Sequence, residues 1–213
     1  MRKNAYLNNQ DILNWYKTPE EMQFTEKGFP ILEPCSLSFN EINTLGFNYA
    51  MNFNGDKEDY FIHFFMQDYM FTRIWNSPQK YIDVLKQYAG IIVPDFSLYY
   101  DMPEPLQRFN HYRNLWFARM CQIQGIKVIS SVNWSDENSY SFCFEGLPKN
   151  DVFMLSTLGS TRKKDTVDNF WNGAKYCIDI LQPKQILLRT TINQFESIKN
   201  KLETDADVLF VSL

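Results

Sequence analysis

Histidine occurs twice, cysteine four times and glycine eight times in these 213 residues, and each scarcity closes off a class of function. His63 and His111 form neither a His-x-His nor a His-Glu-x-x-His pair, so a histidine-rich metal site is not expected. No Gly-x-Gly-x-x-Gly follows a strand-like run, and a dinucleotide fold therefore lacks its main signal. A Gly-x-Ser-x-Gly elbow is also missing, which leaves an esterase reading nothing to stand on. Cys35, Cys121, Cys143 and Cys177 are widely scattered with no Cys-x-x-Cys pair. That spacing suits neither a disulfide framework nor a zinc site, and it points to a reducing compartment, the cytoplasm. No apolar run approaches the roughly 20 residues that span a bilayer, and polar sequence follows Met1 where a signal peptide would have an apolar core. No membrane partner is expected.

An excess of positive charge is missing as well. The net charge is −4, with both signs mixed along the chain. Duplex binding usually gathers Lys and Arg on one face to displace counterions, so extended nucleic-acid binding is disfavoured. The nearest approach to a basic cluster is Arg162-Lys163-Lys164, either a solvated loop or a phosphate contact.

Apolar and aromatic residues are plentiful, at 45% and 16%, with 18 Phe and 12 Tyr. Such a chain can fill one larger-than-average domain without staples. Core filling and strand propensity account for the aromatics, with stacking platforms as the sharper alternative. Strand-like runs occur at Leu45–Phe53, Tyr60–Met66, Gly90–Val93, Ile126–Val132, Val152–Ser156, Gln185–Leu188 and Val208–Ser212. From the second run onward their spacing of roughly 25–35 residues is that of a βαβ unit. Helical signals lie between them. Ser77-Pro78 opens one helix, Ser77 serving as its cap, and Pro103 a longer one closed by Gly125. Asp165-Thr166 begins a third, stopped by Pro183, and Asn193 to Leu202 forms the last.

Continuous apolar strands alternating with amphipathic helices imply an α/β domain with a parallel sheet covered on both faces. The expectation is an incomplete or distorted (β/α) barrel of about seven strands over residues 45–213. Residues 1–44 form an N-terminal cover: Asp11 caps a short helix, Thr18-Pro19-Glu20-Glu21 starts a second, and Gly28-Phe29-Pro30 breaks the pattern.

In parallel α/β folds, ligands bind beyond the carboxyl ends of the strands. Five successive exits carry polar groups: Gln67-Asp68-Tyr69, Pro94-Asp95-Phe96-Ser97, Asn133-Trp134-Ser135-Asp136, Ser156-Thr157-Leu158-Gly159-Ser160 and Arg189-Thr190. Asp95 sits in an apolar frame, so it is expected to be at least partly buried and then paired or raised in pKa. Asp95 and Asp68 are the catalytic candidates. Ser97, Asn133, Trp134, Ser156, Thr157 and Arg162 are the ligand-binding ones, with Trp134 a stacking platform or a lid on the core. The Ser156–Arg162 loop could cradle a phosphate. A carboxylate-only Mg²⁺ site would draw on Asp68, Asp95 and Asp136. Loop entries are polar in any protein, so capping is the alternative for each residue taken alone.

These residues carry a resemblance. Phe64-Phe65-Met66-Gln67-Asp68-Tyr69, Trp75-Asn76-Ser77-Pro78 and, most specifically, Pro94-Asp95-Phe96-Ser97-Leu98-Tyr99 resemble domain-of-unknown-function family 4417. So do Asp101-Met102-Pro103, Asn110, Arg113-Asn114, Gln124 to Ile129, Trp134 and Phe144 to Pro148, covering roughly residues 60–185 in all. Beyond Gln185 the chain departs, with Arg189-Thr190 where the family pattern has Tyr-Gly. The resemblance implies a bacterial, phage or mobile-element setting and no mechanism. The functional expectation is a phage- or mobile-element-type accessory protein that binds, and could process, a nucleotide or sugar phosphate. The alternative is a module that docks on and inhibits a host or defence protein through an acidic, aromatic surface such as Tyr99-Tyr100-Asp101.

Overall fold

The computed structural model describes residues 11–158 and 164–213. Seven strands lie side by side in chain order: β1 (Asn43–Gly46), β2 (Tyr60–His63), β3 (Gly90–Ile92), β4 (Val128–Val132), β5 (Val152–Ser156), β6 (Gln185–Thr190) and β7 (Asp207–Ser212). Every neighbouring pair is parallel. The sheet curls into a half-barrel whose edges are β1 and β7, the α/β architecture anticipated above.

Helices α1 (Asp68–Phe71), α2 (Arg73–Asn76) and α3 (Pro78–Leu85) join β2 to β3, and α4 (Glu104–Ile123) joins β3 to β4. Helix α5 (Lys164–Leu181) links β5 to β6, and α6 (Ile192–Lys199) links β6 to β7. Between β1 and β2 and between β4 and β5 the described residues form 3-10 turns instead, at Lys57–Asp59 and Glu137–Ser141. The barrel is distorted at these two connections. Among the described residues no helix is long and apolar enough to cross a membrane.

Side chains alternate across each strand, and both faces are buried. Outward residues such as Ile62, Ile91, Val128, Phe153 and Ile186 join the main core beneath the helices. Inward residues Phe61, Ile92, Ile129, Met154 and Leu187 form a second core inside the curl. Cys35, Leu37, Phe39 and Ile42 pack onto that inner core, beside the strands' starts. The Asp151 carboxylate accepts the Cys35 and Ser36 N–H groups at 2.6 and 3.1 Å. Gln185 accepts from the Phe39 N–H at 2.9 Å and donates to its carbonyl at 2.7 Å.

Four local expectations are corrected. The run Leu45–Phe53 is strand only as far as Gly46, because Tyr49 N–H bonds back to the Gly46 carbonyl and turns the chain. Asp11 accepts the N–H groups of Tyr16 and Lys17 but governs only a 3-10 turn at Trp15–Lys17. Thr18-Pro19-Glu20-Glu21 forms a turn and no helix; the Thr18 hydroxyl accepts the Trp116 indole N–H at 2.9 Å. Ser77 precedes α3 with no side-chain cap bond, leaving Pro78 alone as the start signal. The N-terminal segment is tied to the main core by Asn14, which donates to the Trp75 carbonyl, and by the Trp75 indole, which donates to the Ile12 carbonyl.

Candidate ligand site at the strand ends

The loop after β3 is clamped from behind by α4. Phe96 turns outward into the core, where Asn114 accepts its N–H at 2.8 Å and donates to its carbonyl at 3.3 Å. Asn110 donates to the Ser97 carbonyl at 2.7 Å. The Arg113 guanidinium lies 3.7 Å from the Phe96 ring centroid and donates to the Asn110 side chain. With Phe96 and Ser97 held this way, Asp95 between them and Pro94 is aimed toward the strand ends.

Asp95 accepts a hydrogen bond from the Asn133 amide, which lies just past β4. It keeps some exposure, yet enough protein surrounds the carboxyl that burial dominates its chemistry. Burial pushes its pKa from 3.8 to about 6; the Asn133 bond opposes the rise, Asp68 adds to it and Arg189 opposes it. A carboxyl poised there can take or give a proton near neutral pH.

Asp95, Ser97, Asn133, Trp134 and Ser156 line one pocket of about 520 Å³ at the C-terminal mouth of the half-barrel. Tyr99 and Tyr100, which are 57% and 69% exposed, also line it. The volume falls in the range of small-molecule sites. Asp68 is not in the lining: its carboxylate accepts the Ser97 hydroxyl at 2.8 Å and the Ser97 N–H at 3.2 Å, which sets it behind the loop. Trp134 is a wall. Its indole N–H donates to the Asn169 carbonyl of α5 at 2.9 Å, and its ring packs near Phe144 and Phe170. It lies so close to Gly173 that a Cβ there would come within 2.1 Å of the ring.

One expected ligand residue, Thr157, is not brought to the pocket. Thr157 is buried between β5 and β6, its N–H bonded to the Arg189 carbonyl and its hydroxyl to Thr190, each at 3.0 Å. Arg162, with the Gly159–Lys163 part of the expected phosphate loop, lies outside the described residues. The three-carboxylate Mg²⁺ arrangement is not assembled either. Asp136 instead accepts from the Asn138 N–H and side chain, capping its own 3-10 turn. Among the described residues no three His, Cys, Asp or Glu side chains gather as a metal site.

A model of a domain of unknown function, DUF4417, matches residues 23–207. The chain belongs to the DUF4417 family. The match extends past residues 60–185 at both ends and takes in β1 to β6 and the first residue of β7. This DUF4417 chain is 36% identical over 126 residues to the Gene 1 protein of Mycobacterium phage L5, which covers 59% of the chain and 55% of that protein. It is 32% identical over 126 residues to the Gene 1 protein of Mycobacterium phage D29, again over 59% of the chain and 47% of that protein. The chain thus spans about half the length of the curated relatives it matches. No solved structure matches significantly.

In this DUF4417 chain, polar residues inside the strands join those at the exits. His63, Ser131 and Arg189 take inward positions above the apolar inner core. Burial first, and Arg189 second, lower the His63 pKa to about 4, so the imidazole is neutral. The strand exits include Arg189 but pass over His63 and Ser131, which lie within strands. The alternation Gln185-x-Leu187-x-Arg189 was the available signal, since it puts one polar residue at each end of an inward-facing row. His111, by contrast, is a buried core group bonded to the Glu145 carbonyl at 2.9 Å.

Proposed function

We propose that this chain binds a small polar ligand, of nucleotide or sugar-phosphate size, at the strand-end pocket, as an accessory protein of phage or mobile-element type. The carrying observation is Asp95, whose carboxyl is raised in pKa, held by Asn133 and set in the wall of a 520 Å³ pocket. Asp95 and Asn133 can exchange hydrogen bonds with ligand N–H, O–H or carbonyl groups, and Tyr99 and Tyr100 offer faces for a base or sugar ring. The phage relatives support the setting. A nucleotide and sugar-phosphate panel screened by thermal shift tests the reading. A ligand at a hundred times its dissociation constant adds about 2.7 kcal/mol of stability. Asp95→Asn and Tyr99→Ala are expected to weaken the shift, the tyrosine by about 1–3 kcal/mol if it stacks on a base. Trp134 is unsuited to this test because its ring also packs α5. Absence of any shift across the panel would remove the reading.

The exposed aromatics Tyr69, Tyr99 and Tyr100 favour a second reading, docking on a host protein. A stable complex in a pull-down, lost in Tyr100→Ala, combined with a silent panel, would replace the first reading with this one.

A further inference from the structure

Arg189 makes no side-chain hydrogen bond among the described residues. The residue is 6% exposed, and its Nε and Nη1 atoms are buried without a hydrogen-bond partner. Buried guanidinium nitrogens are normally satisfied; Arg73, Arg113 and Arg119 also leave Nε orphaned, but Arg189 alone leaves two nitrogens so. No carboxylate forms an ion pair with Arg189 among the described residues; Asp95 is near enough to favour its charge but is bonded to Asn133. The guanidinium carbon lies 5.1 Å from the ring centroid of Phe65, and Phe65 lines the pocket. Ser156, cross-strand partner of Arg189 and inward like it, lines the pocket too, whereas Arg189 itself stands behind that lining. A further orphan stands on the same inner face: the Ser131 hydroxyl, buried with no partner.

We infer that an oxyanion site lies behind the Phe65 and Ser156 lining of the pocket, in which the Arg189 guanidinium receives the phosphoryl group of the ligand and the Ser131 and Ser156 hydroxyls stand beside it. The inference deepens the pocket reading and rests on it. A guanidinium edge offers two parallel N–H groups that match two oxygens of one phosphoryl group. The two orphaned nitrogens lie on different edges, so a phosphoryl group held side-on satisfies Nε, one held end-on satisfies Nη1, and either adds a close counter-charge to the weaker one of Asp95. Asp95 does not oppose it strongly, since its raised pKa eases protonation when an anion arrives. The division of labour is then clear. Arg189 holds the acidic head at depth, and Asp95, Asn133 and the tyrosine rim meet the remainder nearer the mouth.

Thermal unfolding in phosphate-free buffer, with inorganic phosphate as the first probe and phosphorylated and dephosphorylated panel members as the second, tests the site on wild type, Arg189→Met and Arg189→Lys. Inorganic phosphate is expected to raise the wild-type Tm and leave Arg189→Met unmoved, with Arg189→Lys between them. Without phosphate, Arg189→Met is expected to melt no lower than wild type, because an apolar chain of similar length replaces a buried guanidinium that makes no hydrogen bond. A phosphorylated ligand is expected to bind wild type about 10-fold to 100-fold tighter than its dephosphorylated form, a ratio that collapses in Arg189→Met. An equal phosphate shift in wild type and Arg189→Met, or an unchanged ratio, overturns the oxyanion site. If panel members bind regardless of phosphorylation, the pocket reading stands and the oxyanion site falls. If phosphate acts through Arg189 while no panel member binds, the site stands and the proposed ligand class falls. Should Arg189→Met fail to fold, Arg189→Lys and Ser131→Ala decide: each weakens the phosphate shift, or the proposal is wrong.

Discussion

Asp95→Asn separates the charge of this carboxyl from its shape. The amide keeps an oxygen for Asn133 to donate to but cannot ionise. In wild type, burial chiefly, with Asp68 adding, holds the Asp95 pKa at about 6 against 3.8 for the free group. Between those values the folded protein binds more protons than the unfolded chain. The stabilising contribution is therefore complete below about pH 4, declines as pH rises, and is gone above about pH 6. A displacement of about two pK units corresponds to about 3 kcal/mol, an upper figure because Asp95 keeps some exposure at the pocket. The variant is accordingly expected to equal wild type near pH 4 and to exceed it by about 2–3 kcal/mol at pH 7.5. That gain is roughly 4–12 °C in Tm for a domain of this size. His63 and His111, each lowered to about 4 mainly by burial, push the other way, adding stability as pH rises from about 4 to 6.5. They are common to both proteins and cancel in the difference, so urea unfolding of the pair from pH 4 to 8 isolates Asp95. A difference that stays constant over that range, or a variant less stable than wild type at pH 7.5, would refute the reasoning.

Two further substitutions probe what holds the site. Asn114→Ala orphans the buried Phe96 N–H and is expected to cost about 1–3 kcal/mol in urea unfolding while weakening any ligand seen in the panel. Gly173→Ala places a methyl 2.1 Å from the Trp134 ring; the ring must move, which lowers stability by about 1–3 kcal/mol and alters the pocket wall, readable in Tm and ligand affinity together.

The parallel rhythm was legible because strands buried on both faces read as continuous apolar runs, and Pro78, Gly125 and Pro183 punctuate the helices between them. The end of β1 was not, since Phe47 and Ala50 stay apolar and buried after the chain has turned. Nor were Thr157 and Asp136 readable: nothing local tells a threonine that meets Thr190 across a strand pair, or an aspartate that caps its own turn, from one facing a ligand. Asp95 stood out by its apolar frame. Asn110, Arg113 and Asn114 stood in the resembling pattern without a role until α4 was seen to fasten the loop that carries Asp95.

The bonds from Asp151 to Cys35 and Ser36, and from Gln185 to Phe39, join residues 115 to 146 positions apart. At a synthesis rate of about 5–20 residues per second, residues 35–39 precede those partners out of the ribosome by roughly 6–30 s. The floor of the half-barrel is thus made well before the partners that fasten it. Until then Leu37, Phe39 and Ile42 have only the earlier half of the inner core, Phe61, Phe65, Ile92 and Ile129, to pack on, and the nascent chain carries part of their surface exposed.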